Sequence, residues 1–135
     1  MKHQQLTEEE RSQLVTYRMQ RARETLVEAD SLIKNGFYNA AINRLYYACY
    51  YAVIALLAKN SLSAQTHQGA KQMFSLHFVT NGKIDKHQAI FYGRLFNDRI
   101  SGDYDDFVQY DYEMLATVRP QAEEFITAIE MEIMK

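Results

Sequence analysis

An arginine followed at once by acids and aromatics is the stretch of this sequence whose residue types could do chemistry. Arg99 is followed by Asp103 and Tyr104, and it lies four residues after Leu95. On a helix this spacing puts a permanent cation on the same stripe as apolar side chains. Such a charge is tolerated only if it is paired or faces a cleft. We therefore expect either a structural ion pair, with Asp98 or Asp103 as the partner, or a site that binds an anion.

The segment around and after Arg99 is acidic. Its acids between residues 97 and 113 are Asp98, Asp103, Asp105, Asp106, Asp111 and Glu113. Acids repel phosphates unless a partner or a metal supplies positive charge. This pattern counts against RNA binding centred on the segment in an isolated monomer.

Histidines are the side chains that could move a proton near neutral pH. His67 follows Thr66, a predicted helix cap, so a ring nitrogen could contact an anion there, although the pattern is more typical of a plain surface histidine. His77 lies four residues after Met73 on an apolar stripe, which is typical of a core or interface histidine. His3, His67, His77 and His87 include no pair at i,i+4, and no glycine-rich phosphate loop occurs. We expect no metal and no cofactor.

Four of the ten tyrosines fall within residues 46–51. Tyr46 and Tyr50 should pack in the core or at its rim, since tyrosine combines a large apolar ring with a polar tip. The neighbouring face carries polar and aromatic side chains: Asn43, Arg44, Tyr47 and Tyr51. For Asn43, Arg44 and Tyr47 the pattern is as consistent with a polar interface or cleft as with packing between helices.

The composition indicates which classes of structure could carry these residues. The 135 residues include one proline and five glycines, which favours long helices, and the formal net charge of −2 provides no global basic field for nucleic acid.

The only cysteine, Cys49, excludes an internal disulfide and suits a reducing cytosol. The N-terminus has no apolar signal core, and the stretch from Leu45 to Leu57 is too short to span a bilayer. We expect a cytoplasmic protein with no membrane association.

Apolar periodicity predicts an all-α fold, an up-and-down bundle of about five helices in one domain, residues 1–135. Thr7 and Glu10 form a capping-box pattern that starts the first helix, and Gly36 ends it. The later helices are predicted at about 39–59, 66–82, 85–100 with Gly102 after the end, and from 111 onward. Pro120 predicts a kink or a restart within the fifth helix.

Three segments have the order and spacing of one known family. Residues 39–53 combine small residues, Asn, Arg and paired tyrosines; Thr66-His-Gln-Gly-Ala precedes Phe74 and Phe78; and residues 99–107 read Arg-Ile-Ser-Gly-Asp-Tyr-Asp-Asp-Phe. Together they resemble the HEPN family, the higher eukaryotes and prokaryotes nucleotide-binding domains, over roughly residues 10–133. The third segment resembles the bacterial and archaeal branch with an Arg…Asp-Tyr pattern.

The resemblance implies a helical bundle that dimerises. Many members are RNases in which an arginine is followed, after four to six residues, by a histidine, and others are encoded with a minimal nucleotidyltransferase as toxin–antitoxin pairs. Here the positions allowed for that histidine after Arg99 hold Tyr104, Asp105 and Asp106. Tyrosine, with an unperturbed pKa of about 10, is a poor proton shuttle near neutral pH. Arg99, Asp103 and Tyr104 nevertheless occupy the family's motif region.

Three functions are consistent with this sequence. The first is a HEPN-like binding or interaction module, homodimeric and associated with a nucleotide or RNA, with a minimal nucleotidyltransferase as a candidate partner. The second is a metal-independent RNase toxin in which Arg99 stabilises the scissile phosphate and His67 or His77 acts as an improvised base. The third is a helical adaptor. For a dimer, the second and fourth helices should contribute, with Tyr47 and Phe91 as candidate contacts.

Overall fold

The computed structural model describes residues 5–135, and within them it contains five α-helices and no strand. The helices are α1 (Glu8–Lys34), α2 (Tyr38–Lys59), α3 (His67–Phe74), α4 (Lys86–Tyr104) and α5 (Tyr112–Ile133). A short π-helical segment, Ser75–Val79, continues from α3. The predicted all-α bundle is confirmed. Residues 1–4 lie outside the described residues; they include His3 and the first part of the segment in which no signal core was predicted.

Both ends of α1 form as the sequence predicts. The Thr7 hydroxyl accepts a hydrogen bond from the Glu10 backbone N–H at 3.0 Å, and the Glu10 carboxylate accepts one from the Thr7 N–H at 2.8 Å. These bonds satisfy two donors that would otherwise lack partners at the helix start. At the other end Gly36 adopts a φ of 80°, a conformation that costs glycine little.

The central helix of the bundle is α2, which contacts α1, α3, α4 and α5. The whole helix extends beyond the apolar stretch from Leu45 to Leu57, and by length and composition alone it would be able to cross a membrane. Most of that apolar surface is instead buried against the other helices, as expected for the core helix of a bundle.

Three predicted boundaries differ from the structure. The third helix is α-helical only to Phe74 before the π-helical segment begins. The fourth continues past residue 100 to Tyr104, so Gly102 lies inside it; a Cβ at Gly102 would come 2.9 Å from the Tyr110 ring, and the missing side chain leaves room for that ring. The fifth runs through Pro120 without a restart, held by buried residues on both sides, Leu115 and Ala122.

One side chain ties the C-terminal end of α4 and the loop after it to the start of α2. The Asn39 amide donates to the Val108 carbonyl at 2.9 Å, and its oxygen accepts from the Tyr110 N–H at 2.9 Å. The Tyr110 hydroxyl donates to the Asp98 carbonyl at 2.9 Å. The bonds of Asn39 span more than 60 residues of sequence, and together with the Tyr110 bond they fix the part of α4 that carries Arg99 against α2.

Candidate functional site

The guanidinium of Arg99 lies over a shelf of aromatic rings. Its Cζ atom is 4.9 Å from the centre of the Tyr46 ring, 5.9 Å from that of Tyr47 and 5.7 Å from that of Phe96. These are cation–π distances, and the side chain as a whole is half-buried. The Nε atom is buried and has no hydrogen-bond partner among the described residues.

The ion pair that the sequence suggested for Arg99 does not form. Across residues 5–135, no carboxylate comes within 4.0 Å of its nitrogens. Asp103 instead accepts a hydrogen bond from the Asn43 amide at 2.9 Å. Asp98 lines a cleft of about 310 Å3 between α4 and α5 together with Arg94. Because Asp103 pairs with Asn43 and Asp98 faces this cleft, neither acid on α4 compensates the Arg99 charge.

His67, the first residue of α3, joins the same aromatic shelf. Its Nδ1 atom is hydrogen-bonded to the Tyr46 hydroxyl at 2.8 Å, and its ring centre is 4.2 Å from that of Tyr50 and 5.5 Å from that of Tyr47. The Thr66 hydroxyl holds the start of α3 by accepting the Gly69 N–H at 2.8 Å, as predicted. His67 thus shares Tyr46 and Tyr47 with Arg99. We call Arg99, His67, Tyr46, Tyr47, Tyr50 and Phe96 the Arg99–His67 site.

Burial shifts the pKa values of His67, Tyr46 and Tyr50 in the direction that favours their uncharged forms. Burial and, to a smaller degree, the Arg99 charge lower the pKa of His67 below its ordinary value near 6.5, so the imidazole is uncharged at neutral pH. Burial raises the pKa of Tyr46 to about 12, which keeps its hydroxyl protonated. Their hydrogen bond uses Nδ1 of His67, and Nε2 remains for another contact. An uncharged imidazole beside an arginine can accept a proton while the arginine holds an anion.

The remaining binding candidates from the sequence have other partners or are exposed to solvent. Arg44 stacks over Tyr47 at 5.0 Å, but its charge is compensated by Glu28, whose Oε1 is 3.3 Å from Nη1. Asn43 and Asp103 pair at the exposed edge. Tyr104 is the last residue of α4 and is 78% exposed.

His77 is not brought to Arg99. It lies in the π-helical segment, and the aromatic ring that it approaches among the described residues is its sequence neighbour Phe78, at 6.5 Å. Of the two histidines that the sequence offered as a base, the structure brings His67 to the arginine.

Two of the acids expected to repel phosphate have local structural roles. Asp105 accepts the Phe107 N–H at 3.0 Å, which shapes the turn after α4, and Asp111 accepts the Met114 N–H at 2.9 Å, which caps α5. Their carboxylates are therefore committed to backbone donors. A hydrogen bond from a backbone N–H does not cancel the charge of a carboxylate, so the acidic composition of the segment still counts against phosphate binding there.

Sequence reasoning treated Tyr46 and Tyr50 as packing residues and did not single out Phe96. Tyr46 is fully buried, as expected, yet its hydroxyl links the histidine to the aromatic shelf beneath Arg99. A signal was present, because Phe96 lies three residues before Arg99 and Tyr50 lies four after Tyr46, the spacings that share a helix face.

The residue types at the site do not form a metal-ligand set. One imidazole, three phenols and a guanidinium offer a single good ligand for a divalent cation. Within residues 5–135, no group of three or more His, Cys, Asp or Glu side chains is placed to hold a metal ion.

Comparison with known proteins gives a consistent set of matches. The profile of the HEPN domain matches residues 15–132. A UPF0332 protein of Thermotoga maritima is 40% identical over 121 residues, which cover 90% of this chain and 92% of the relative. A Methanocaldococcus jannaschii protein named "Putative toxin MJ0605" is 34% identical over 110 residues, 82% of this chain and 76% of the relative. A second protein of that organism, "Putative toxin MJ0142", is 27% identical over 95 residues, 70% of this chain and 65% of the relative.

Proposed function

The chain belongs to the HEPN domain family, and we propose that it is a HEPN-type module of a toxin–antitoxin system that binds a phosphate-bearing ligand, a nucleotide or RNA, at Arg99. The observation that carries this proposal is a half-buried guanidinium with no carboxylate within 4.0 Å of its nitrogens among residues 5–135. Two relatives named as toxins support the toxin–antitoxin setting.

An anion at Arg99 would satisfy what the protein leaves unsatisfied. Removing an arginine partly from water costs free energy unless an opposite charge or hydrogen-bond acceptor compensates it. Phosphate oxygens match the donor geometry of a guanidinium, and charge-assisted bonds of this kind are among the stronger hydrogen bonds in proteins. The adjacent Tyr47 ring, half-buried at the edge of the site, offers a surface on which a base can stack.

A second candidate function is metal-independent RNA cleavage. It is favoured by one observation, the placement of an uncharged His67 on the same tyrosines as Arg99. In this reaction Nδ1 of His67 carries the ring proton and donates a hydrogen bond to the Tyr46 oxygen, which leaves Nε2 unprotonated. Nε2 takes the proton of a ribose 2′-hydroxyl, and the 2′-oxygen bonds to the adjacent phosphorus. The bond from phosphorus to the 5′-oxygen then breaks, and that oxygen regains a proton from the imidazolium or water. Arg99 would stabilise the negative charge that develops on the phosphoryl oxygens.

The test measures binding and cleavage with the same variants. Anisotropy of fluorescent RNA and competition by nucleotides report binding, and gel analysis of end-labelled RNA reports cleavage. Arg99→Gln should abolish both, whereas Arg94→Gln, on the same helix and with the same change in charge, should preserve both. His67→Gln should retain binding but lose any cleavage, and His77→Gln should retain both.

The outcomes separate the two candidates. Binding without cleavage supports the module, and cleavage that disappears in both Arg99→Gln and His67→Gln supports the RNase. Wild-type protein that binds neither RNA nor nucleotide, or binding that survives in Arg99→Gln, would refute the assignment of the site.

The proposal extends to assembly and location. We take the whole chain, residues 1–135, as one HEPN-like domain that works in the cytoplasm as a homodimer, with a nucleotidyltransferase as a possible partner protein. Support for the dimer comes from apolar surface on α4, where Ile90 is 56% exposed next to the half-buried Phe91. Tyr47 on α2 is the second candidate contact. Light scattering at tens of micromolar should give twice the chain mass, and a monomer there would contradict it.

A further inference from the structure

A second arginine without an acidic partner lies on α1. Arg18 is half-buried, and its Nη1 donates to the Ile54 carbonyl at 3.0 Å. Among residues 5–135, no carboxylate comes within 4.0 Å of its nitrogens. The four residues before Gln5 contain no Asp or Glu in sequence. A single carbonyl uses one of the five guanidinium N–H groups and leaves the charge uncompensated.

Arg18 lines a cleft rather than a flat surface. The cleft, of about 500 Å3, lies between α1 and the loop that leads to His67, and its walls include Arg11, Leu14, Arg18, Leu62, Ala64 and Gln65. Arg11, one of its two cations, also has no carboxylate within 4.0 Å among the described residues. The cleft therefore combines two cations with apolar walls.

Successive turns of α2 connect this cleft to the Arg99–His67 site. Tyr46, Tyr50 and Ile54 are spaced by four residues on one face of the helix. Arg99 lies over the first, the His67 ring lies against the second, and Arg18 hydrogen-bonds to the third. Eight residues at 1.5 Å each place the two contacts with α2 about 12 Å apart along the helix, with the histidine between them.

We propose that Arg18 and its cleft form a second anion subsite, continuous with the Arg99–His67 site, and that the molecule bound across both is a strand of single-stranded RNA. This inference rests on the proposed function and specifies its ligand. Because the two arginines contact α2 at points about 12 Å apart along its axis, we take them to bind different phosphates. A ligand that pairs with both arginines therefore needs at least two phosphates, as a strand of RNA has. The rings of Tyr50 and His67 lie between the two arginines and suit unpaired bases, which present their faces for stacking.

The inference makes the effect of Arg18 depend on the length of the strand. The probes are adenosine monophosphate and an eight-nucleotide RNA with 2′-O-methyl groups, which prevent cleavage through the 2′-hydroxyl. Arg18→Gln should weaken binding of the eight-nucleotide RNA by about tenfold, the loss expected for one charge-assisted contact. It should also lower the slope of log affinity against log salt by about 0.7. Binding of the monophosphate should not change.

The control is Arg23→Gln. Arg23 is on the same helix but pairs with Glu130 at 2.8 Å, so its loss removes the same charge away from the cleft. It should leave both probes unaffected. Arg18→Lys, which keeps the charge, should restore most of the affinity for the longer strand. Arg11→Gln should weaken that strand in the same direction, which keeps the test usable if Arg18→Gln does not fold.

The results distinguish this inference from the proposed function. If Arg99→Gln weakens both probes while Arg18→Gln and Arg11→Gln weaken neither, the proposed function stands and the second subsite is wrong. Equal weakening of both probes by Arg18→Gln would also overturn the subsite, because it would indicate a general effect on the fold. If Arg99→Gln changes neither probe, the proposed function itself fails.

Discussion

Replacement of Arg99 by methionine should leave the bundle folded while removing its binding of phosphate-bearing ligands. Methionine keeps most of the apolar stem that packs on the aromatic shelf, and it loses only the charge. The expected change in stability can be worked out from the contacts of the guanidinium. No carboxylate loses its partner, so the roughly 3–5 kcal/mol that follows when a buried ion pair is broken is absent.

What the substitution does remove is the attraction between the cation and the rings of Tyr46, Tyr47 and Phe96. One half-exposed guanidinium shared by three rings contributes about 1–2 kcal/mol. Relief of its partial desolvation offsets some of that loss. The net decrease in the free energy of unfolding should therefore be at most about 1.5 kcal/mol, or about 5 °C in melting temperature for a chain of this size.

Thermal unfolding followed by circular dichroism measures this, with RNA binding measured on the same samples. Asp103→Asn is the companion variant, since an asparagine oxygen can still accept from Asn43, and its melting temperature should be nearly unchanged. A drop of about 10 °C or more in both variants would show that Arg99 and Asp103 stabilise each other after all. That result would refute Arg99 as a site residue.

Further substitutions and conditions test other parts of the structure. Burial lowers the pKa of His67, so as the pH falls this histidine is protonated in the unfolded chain before it is protonated in the folded one. The free energy of unfolding should therefore be highest above about pH 6.5 and decrease below it. Urea unfolding of His67→Gln should show no pH dependence from this residue. Gly102→Ala should lower the free energy of unfolding by about 1–3 kcal/mol, because the new Cβ would come 2.9 Å from the Tyr110 ring. The control is Gly93→Ala on the same helix, where the nearest atom of a neighbouring side chain is 3.5 Å away; in the same unfolding assay it should be neutral or stabilising. Burial raises the pKa of the Cys49 thiol, so it should resist a thiol reagent at pH 8 in native protein and react after denaturation, and fast native labelling would contradict its burial.

The sequence by itself predicted the helices and the class of fold. The capping box at Thr7, the glycine after α1 and the cap at Thr66 are local signals, because each depends on hydrogen bonds or dihedral angles within a few residues. Apolar periodicity likewise predicted a helix at about 39–59, where α2 lies. The same local rules failed at Gly102, where packing against Tyr110 overrides the tendency of glycine to end a helix. At Pro120 the helix continues without the restart that was one of the two expectations.

The tertiary structure alone decided what Arg99 faces and which histidine it meets. Sequence spacing placed the arginine on an apolar stripe but made Asp98 and Asp103 look like its partners, because both are near in sequence. The packing of α3 and α4 on α2 instead brings His67, far from Arg99 in sequence, onto the same tyrosines and leaves His77 elsewhere. Contacts between distant segments depend on how whole helices pack, and helical periodicity specifies which face of a helix is buried but not which residue of another helix lies against it.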